Sequence, residues 1–470
     1  MSENRSDALV LFGASGDLAK KMTFVSLYRL ACRGLLDMPI IGVAFSDWDD
    51  KTLRENAKAD IETASGEPVD EKVWSAMSSR MHFVQGDYTK PDTYERVKKA
   101  LGDAKRPLFY LEIPPGLFET TVQGLYQAGL TTDARVIVEK PFGHDLDSAA
   151  KLYESLTSML KDNQLYRIDH YLGKNAVQDI MVWRFANRLF EPLWNNNHID
   201  SVQITMSESF DVSDRGSFYD KVGALKDVIQ NHIMQVIGLL AMDPPSKASP
   251  DQIHACQLNV FQAMRPIDAE NFVRGQYSGY LDVKGVAEGS TTETFVALRI
   301  HIDNWRWAGV PFFIRAGKCL ADTATEAVVV FKRPPLQLFK EVGCPKPEPN
   351  WLRLRLGHND GVQMRVQALD PSAAMASTPV VLDVDFKDAL GVEKLPYEQL
   401  LGDAIDGNPT RFATQKIIEG TWKALAPILE TPGPVHTYEP GTMGPADADK
   451  LLAGHHGWIH PIAPASDKPA

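Results

Sequence analysis

Residues 166–174, with the sequence Tyr-Arg-Ile-Asp-His-Tyr-Leu-Gly-Lys, place an acid, an imidazole, a phenol and an amine at the end of an apolar run. A helix that begins near Asp169 would carry His170 and Lys174 on one face, four residues apart, with Asp169 as its N-cap. Free N–H groups and cationic side chains converge at such a helix start, which favours an anion. The alternative is a capped, solvated helix start.

A second candidate for chemistry is His232, in the segment 220–242 that the pattern predicts to be a buried helix, apolar around much of its circumference. His232 is in line with Val228 and Val236 on an apolar stripe, so a core histidine with a satisfied hydrogen bond is the alternative to a catalytic base. Asp227 is five residues earlier, and an ideal α-helix does not bring it onto the same face. The two side chains could still line one cavity from different sides.

A glycine-rich turn near the start of the chain predicts a dinucleotide site. The apolar run 8–12 is typical of a buried parallel strand, and a helical pattern covers 20–33. Between them, Gly13 permits a tight turn and Gly16 lets a pyrophosphate approach the helix N-terminus. An ordinary strand–turn–helix connection is the alternative. The turn consists of Gly13, Ala14, Ser15, Gly16, Asp17, Leu18 and Ala19.

The end of the next strand, predicted over 39–45, bears on the choice of cofactor. An acid at this position binds the ribose 2′-hydroxyl of NAD, whereas a base accommodates the 2′-phosphate of NADP. The residues from Phe45 to Asp50 contain three carboxylates and no cation, which favours NAD. Phe45 could nevertheless stack on adenine, and Ser46 could bond a 2′-phosphate while Lys20 or Lys21 supplies charge. We therefore expect dual use or a preference for NAD.

Lys140 lies where a later strand ends, in the sequence Glu139-Lys140-Pro141. Ligands of open α/β sheets bind at the carboxyl ends of the strands, so Lys140 could reach both nicotinamide and substrate. Pro141 disfavours helical dihedrals at Lys140 and is a candidate for a cis peptide bond. A surface lysine at a strand end is the alternative.

The length of 470 residues exceeds the usual size of one hydrophobic core and predicts two domains, 1–175 and 176–470. The first alternates strands and helices, as in a Rossmann-like doubly wound α/β fold. The second opens with a helix over 177–190 and becomes strand-rich, which predicts a larger α+β domain with a mostly antiparallel sheet. Its expected elements include a strand over 258–265 and a helix over 409–425 with Asn408 as N-cap.

Composition excludes several classes of function. The formal net charge of −12 argues against nucleic-acid binding and against an anionic membrane surface. No apolar run approaches the roughly 18 residues that a membrane span requires. The cysteines are scattered without metal-type spacing, so we expect a reduced, cytoplasmic protein without a metal site. They are Cys32, Cys256, Cys319 and Cys344.

Seven segments together resemble the glucose-6-phosphate dehydrogenase family over nearly the whole chain. The resemblance implies a Rossmann-like coenzyme domain followed by a β+α domain that forms homodimers or homotetramers. It also implies oxidation of the C1 hydroxyl of glucose 6-phosphate to a lactone with hydride transfer to NAD(P)⁺, the first step of the oxidative pentose phosphate pathway. The segments are 13–19, 139–143, 167–174, 184–187, 227–232, 289–292 and 310–318.

The resemblance also implies roles for individual residues. His232 would be the general base, and Asp169 would hold its imidazole and stabilise the cationic form. The coenzyme would be held by the turn 13–18, by Ser46 and by Lys140. The 6-phosphate would be bound by His170, Tyr171 and Lys174 through charge-assisted hydrogen bonds. Sugar hydroxyls would be oriented by Lys140, Glu208, Asp227 and Lys318.

Three departures from the family pattern limit what is carried over. Phe45 replaces an arginine that meets the 2′-phosphate of NADP, and Thr323 replaces a second cation near the substrate phosphate. Ala324 and Val328 replace basic positions of a second, structural NADP, so we expect no such site. Two other functions stay open: a related hexose-phosphate or glucose dehydrogenase, and a non-catalytic dinucleotide sensor.

Overall fold

The computed structural model describes residues 4–336, 348–357, 359–372, 376–391 and 394–461, so Cys344 lies outside the described residues. The chain forms two compact units, each assembled from separate segments. The first consists of Met1–Lys174, Pro245–Ala255 and Lys394–Glu419, and the second of Asn175–Pro244, Cys256–Glu393 and Gly420–Ala470. The domain bounds 1–175 and 176–470 stay a prediction.

The first 174 residues form a parallel six-stranded sheet. Its strands are β1 (Ala8–Phe12), β2 (Ile40–Ala44), β3 (Met81–Gln85), β4 (Pro107–Leu111), β5 (Arg135–Val138) and β6 (Leu165–Arg167). The α-helices of this segment are α1 (Phe24–Cys32), α2 (Asp50–Ser65), α3 (Glu71–Ser78), α4 (Pro91–Leu101), α5 (Phe118–Gln127) and α6 (Leu146–Thr157). The order β3-β2-β1-β4-β5-β6 is that of doubly wound dinucleotide folds, which confirms the Rossmann-like prediction.

The central strands are continuous apolar runs because both faces of the sheet are covered. All residues of β1, β2 and β4 are buried. The core of this unit also includes Tyr166 and Phe412, whose rings meet edge to face with centroids 4.8 Å apart. Burial on both faces fixes the register of β1 between β2 and β4, and therefore the place of the turn that follows it.

The remainder of the chain forms nine further strands and seven further α-helices among the described residues. The strands are β7 (Ile199–Ser207), β8 (Phe272–Tyr277), β9 (Phe295–Ile300), β10 (Phe312–Gly317), β11 (Ala324–Phe331), β12 (Trp351–Arg355), β13 (Gly361–Leu369), β14 (Ser377–Asp385) and β15 (Val435–Tyr438). The helices are α7 (Asn175–Phe185), α8 (Gly216–Tyr219), α9 (Met234–Ala241), α10 (Pro250–Ala263), α11 (Phe386–Leu390), α12 (Pro396–Asp406) and α13 (Gln415–Glu430).

The sheet of the second unit has the order β14-β13-β12-β11-β7-β10-β9-β8-β15. The pairs β7–β10 and β8–β15 are parallel, and the other six pairs are antiparallel. This confirms a mostly antiparallel sheet. The parallel pair β7–β10 brings the carboxyl ends of two strands side by side near its middle, where Glu208 and Lys318 follow.

Sequence-based assignments of two segments after residue 175 are wrong. The segment 258–265, expected to be a strand, lies mostly in α10, because its buried Val260, Phe261 and Met264 follow helical spacing that a short apolar run does not distinguish from a strand. The helix expected over 409–425 begins at Gln415 instead. Asn408 caps a turn, since its Oδ1 accepts the Thr410 N–H at 3.2 Å, so the capping residue was recognised but its element was not.

The helix expected over 177–190 ends at Phe185, and β15 lies at one edge of the second unit's sheet, paired with β8. Within the described part of the chain, no helix combines the length and the apolar character that crossing a membrane requires.

Candidate active site

The stretch 169–174 is a single 3₁₀ turn, His170–Gly173, and not the start of an α-helix. Asp169 caps it as expected, because its Oδ1 accepts the Tyr171 N–H at 3.0 Å. Lys174 is already extended, so the prediction that His170 and Lys174 share a helix face is wrong. The Gly173 carbonyl at the end of the turn accepts a hydrogen bond from Gln399 Nε2 at 3.1 Å, and α7 begins two residues later, at Asn175.

Aromatic contacts organise the cationic side chains in this turn. Lys174 Nζ lies 3.9 Å from the centre of the Tyr171 ring. The His170 ring is 5.2 Å from that of Tyr171 and stacks at 15° on Tyr397, 6.4 Å away. A cation over an aromatic face gains electrostatic attraction. The predicted anion site thus keeps its three side chains close together, through rings and not through helical periodicity.

The glycine turn has the geometry that close approach of a ligand demands. Gly13 has φ +89°, and a Cβ there would lie 2.1 Å from the Glu112 carbonyl oxygen. The Gly16 N–H donates to the Gly13 carbonyl at 2.8 Å. A π-helical turn, Ala19–Thr23, then leads into α1. Residues without Cβ atoms at both ends of the turn fit a dinucleotide pyrophosphate.

Ser46 lies beside this turn, since its Oγ donates to Ser15 Oγ at 2.9 Å. Phe45 is 75% exposed, which leaves its ring available to a ligand. Asp17 is exposed, Leu18 is half-buried and Ala14 is buried, so the side chains of the turn differ in their accessibility to a coenzyme.

Lys140 follows β5 and is half-buried, and its peptide bond to Pro141 is cis, as anticipated. The neighbouring Glu139 accepts a hydrogen bond from Tyr110 Oη at 2.6 Å. Burial raises the pKa of Glu139 to about 7, although Tyr110 and Lys140 oppose the shift. A carboxyl that titrates near neutrality beside a candidate substrate lysine is typical of functional sites.

His232 lies in a π-helix, Leu225–Ile233, and only 4% of it is exposed. The Asn231 side chain reinforces the wide turn by donating to the Lys226 carbonyl, five residues earlier, at 3.1 Å. In a helix closed by i→i+5 hydrogen bonds, residues five apart lie about one turn apart. The π-helix therefore brings Asp227 and His232 closer to one face than the ideal α-helix of the sequence-based expectation would.

The carboxyl ends of β7 and β10 place Glu208 and Lys318 together. The two side chains form a hydrogen-bonded ion pair, and the Glu208 N–H donates to the Gly317 carbonyl at 3.0 Å. Lys318 Nζ lies 5.0 Å from the Phe210 ring and 5.4 Å from the Tyr219 ring. Two parallel strand ends thus supply one acid and one base to the same place.

Asp227 belongs to the same group of side chains in the second unit. The pKa of Tyr219 is well above its ordinary value, first because the phenol is buried and then because of the Asp227 charge. The Glu208 charge acts on it in the same direction. The structure therefore gathers three of the predicted sugar-binding residues, Glu208, Asp227 and Lys318, around one buried phenol.

Sequence reasoning did not find Tyr219, Phe210 and Tyr397. Tyr397 stacks on a residue far earlier in the chain, and no local signal could have revealed it. Thr323 stands where the family has a second cation. Its hydroxyl accepts the Ser209 N–H at 2.9 Å and forms a hydrogen bond with the Ser209 hydroxyl at 2.8 Å. It thereby holds the backbone that follows Glu208.

The doubly wound sheet, the glycine turn at its first strand and the titratable side chains at its strand ends define a nicotinamide-dinucleotide-dependent oxidoreductase. Comparison with protein families narrows this class. Residues 10–179 match the NAD-binding domain of glucose-6-phosphate dehydrogenase, and residues 181–459 match the C-terminal domain of that enzyme. The chain belongs to the glucose-6-phosphate dehydrogenase family.

Individual relatives match the chain over nearly their full length. The chain is 44% identical over 459 residues to glucose-6-phosphate 1-dehydrogenase 1 of Mycobacterium tuberculosis, with 98% of this chain and 97% of the relative covered. A crystal structure of glucose-6-phosphate 1-dehydrogenase from Mycobacterium avium superposes with a TM-score of 0.90 at 44% identity and covers 98% and 99% of the two chains. A glucose-6-phosphate dehydrogenase in complex with its substrate glucose 6-phosphate also gives 0.90, at 32% identity and coverages of 98% and 100%.

Proposed function

We propose that the protein oxidises the C1 hydroxyl of glucose 6-phosphate to the lactone, with His232 as the general base. The observation that carries this proposal is the 44% identity to a glucose-6-phosphate 1-dehydrogenase over 98% of the chain. The base His232 and its partner Asp169 are present in this chain, whereas Phe45 and Thr323 depart from the family pattern.

His232 would take the proton of the C1 hydroxyl while hydride leaves C1. A bound nicotinamide supplies the hydride acceptor. A base must be neutral before the reaction and tolerate a positive charge afterwards, and a carboxylate that accepts from the imidazole stabilises that charge. We assign this role to Asp169, which supplies the only carboxylate in the stretch 166–174. Asp227 could add to the same effect from the π-helix.

The anionic end of the substrate would bind to His170, Tyr171 and Lys174. Their rings and ammonium group already stand close together, so little ordering of side chains would accompany binding. Lys140, Glu208, Asp227 and Lys318 would orient the sugar hydroxyls. The ion pair between Glu208 and Lys318 offers both an acceptor and a donor to adjacent hydroxyl groups.

For the coenzyme, we propose NAD or dual use instead of strict NADP use. Phe45 exposes its ring where the family usually has arginine, and Asp47 and Asp49 follow closely. The turn 13–18 and Ser46 would hold the dinucleotide, and Lys140 would approach its nicotinamide end. No side chain between Phe45 and Asp50 carries a positive charge, so a 2′-phosphate would depend on Lys20 or Lys21.

Initial rates of nicotinamide reduction test this function directly, with glucose 6-phosphate as substrate and with NAD and NADP in parallel. We expect turnover, with kcat/KM for NAD equal to or above that for NADP. Free glucose and other hexose phosphates serve as competing substrates, because a higher kcat/KM with one of them would favour the related dehydrogenase. Coenzyme binding without turnover on any of them would favour a dinucleotide sensor.

For assembly, we propose a homodimer or homotetramer that forms through the β14 edge of the second unit's sheet. Four apolar residues of β14 are exposed, with Leu382 at 58%. Apolar residues on both faces of an edge strand are typical of a surface that is covered by another chain. The four are Val380, Val381, Leu382 and Val384.

For location, we propose the cytoplasm. The scattered cysteines and the ordinary amino-acid composition support this proposal.

A further inference from the structure

Two acidic side chains, Glu112 and Glu139, follow directly after the neighbouring parallel strands β4 and β5, and the proposed reaction uses neither. The strands pair as far as Leu111 and Val138, so both glutamates leave the same edge of the sheet. Tyr110 Oη, fully buried, donates to Glu139 Oε1 at 2.6 Å. The Thr23 hydroxyl donates to Glu112 Oε1.

Helix α12, which belongs to the first unit, connects Glu139 to the turn His170–Gly173. The Tyr397 phenol at its start acts on the Glu139 carboxyl and lowers its pKa, and the Tyr397 ring stacks on His170. Gln399, two residues later, donates to the Gly173 carbonyl. Glu139 is thus joined through one helix to both ends of the turn that carries the candidate phosphate ligands.

Burial favours the protonated form of both carboxyl groups. Burial raises the pKa of Glu112 to about 8, and its Oε2 is buried without a hydrogen bond from any described residue. Burial likewise raises the pKa of Glu139 to about 7. Tyr110, Lys140 and Tyr397 lower the pKa of Glu139, and the Asp169 charge raises it. Glu112 also interacts electrostatically with Glu139.

We propose that Glu139 is a positioning residue: its carboxyl fixes the strand end that carries Lys140 and, through Tyr397, the turn His170–Gly173, and its charge sets the affinity for the anionic substrate. This inference rests on the proposed function of the same site. An ionised Glu139 opposes the positive potential of Lys140, so glucose 6-phosphate binds more weakly once the carboxyl has lost its proton. When Glu139 is neutral, the positive potential of Lys140 acts on the substrate without this opposition, and binding is stronger.

The test compares the wild-type protein with Glu139→Gln, which keeps a hydrogen-bond acceptor but cannot ionise. Kd and KM for glucose 6-phosphate are measured from about pH 6 to about pH 9, a range that spans the transition. Relative to Glu139→Gln, we expect the wild-type Kd to rise roughly 3- to 10-fold with increasing pH, while kcat at saturation differs less. The comparison cancels the titration of the substrate phosphate. Glu154→Gln, an exposed change on α6, should follow the wild-type profile.

Tyr110→Phe provides a second, independent measurement. Loss of the hydroxyl removes a donor that stabilises the carboxylate, so the transition in Kd should move to higher pH. A Glu139→Gln profile that coincides with the wild-type profile would overturn the proposal, as would an unmoved transition in Tyr110→Phe. A wild-type Kd that stays constant as the pH increases beyond about 6, the second pKa of a phosphate group, would also overturn the proposal. Binding without turnover would contradict the proposed reaction while the Kd profiles still decide the role of Glu139.

Discussion

At the scale of single residues, the site depends on a few side chains whose surroundings differ from those that the sequence suggested. His232 is buried on a π-helix, and the Lys318 ammonium group pairs with Glu208 and faces two aromatic rings. Such surroundings restrict the rotamers of the side chains, which is what a positioned base and a positioned donor require. Substitutions at this scale should therefore change rate constants more than stability.

Replacement of His232 by asparagine should lower kcat roughly 10²- to 10⁴-fold, the range for loss of a positioned general base. KM for glucose 6-phosphate should change little, because the base acts in the transition state. Steady-state kinetics with the better coenzyme measures both constants. His436→Asn, which removes a histidine paired with Asp447, serves as a control and should retain wild-type rates. Normal turnover of the His232 variant would refute its role as base.

Replacement of Phe45 by arginine should shift coenzyme preference toward NADP. A charge-assisted hydrogen bond to a phosphate contributes about 1.5–3 kcal/mol, which corresponds to roughly a 10- to 100-fold change in the ratio of kcat/KM for NADP to that for NAD. Phe45→Ala controls for loss of the ring and should not raise the NADP ratio. If Phe45→Arg leaves the ratio unchanged, the cofactor choice lies elsewhere, with Lys20 and Lys21 as the next positions.

At the scale of elements, the π-helix Leu225–Ile233 determines how Asp227 is placed relative to His232. Its wide turns bring Asp227 toward the face of His232, which a regular α-helix would not do. The Asn231 side chain reinforces one of these turns from within the helix. A conformation that is uncommon in proteins thus coincides with the candidate base, as is frequent for π-helical turns.

Substitution of Asn231 by alanine should therefore affect both stability and rate. Loss of one buried side-chain hydrogen bond should lower the free energy of unfolding by about 1 kcal/mol, which thermal denaturation measures. The kcat should fall several-fold as the face that carries His232 loses its support, because small displacements of a catalytic group are costly. Asn163→Ala, a substitution at an exposed position, is the control. A wild-type kcat in Asn231→Ala would show that the helix holds its geometry without the side chain.

At the scale of the whole molecule, each unit is assembled from distant parts of the chain. Helix α12 follows most of the second unit's strands in sequence but belongs to the first unit. There, Tyr397 and Gln399 support the turn His170–Gly173. The second unit's sheet leaves β14 at one edge with four exposed apolar residues, and this edge is our proposed surface for self-association.

Replacement of Leu382 by glutamate should dissociate the proposed oligomer, because a charge buried in an apolar interface is strongly unfavourable. Light scattering coupled to size-exclusion chromatography would show a mass close to the monomer's 52.1 kDa. Leu281→Glu, near the opposite edge of the sheet and 49% exposed before substitution, should leave the mass unchanged. An unaltered assembly in Leu382→Glu would place the interface on another surface.

Much of the fold and many of the candidate residues could be predicted because their signals are local. Apolar runs gave the buried parallel strands, and the glycine turn after β1 has the positive φ that its composition required. The assignment of 258–265 failed because a short apolar run fits either a strand or a helix, and packing decides between them. The 3₁₀ turn at His170 does not follow from the local pattern, because its contact with Gln399 joins segments that are far apart in sequence.

The sequence by itself determined the first two strands of the first unit, the glycine turn between the first strand and its helix, and the set of residues that could carry the chemistry. These follow from spacing and residue type within short segments. Only the tertiary structure decided that residues 225–233 form a π-helix, that Tyr397 stacks on His170, and that Tyr110 bonds to the half-buried Glu139 beside Lys140. Each of these depends on contacts between separate segments, which no local pattern encodes.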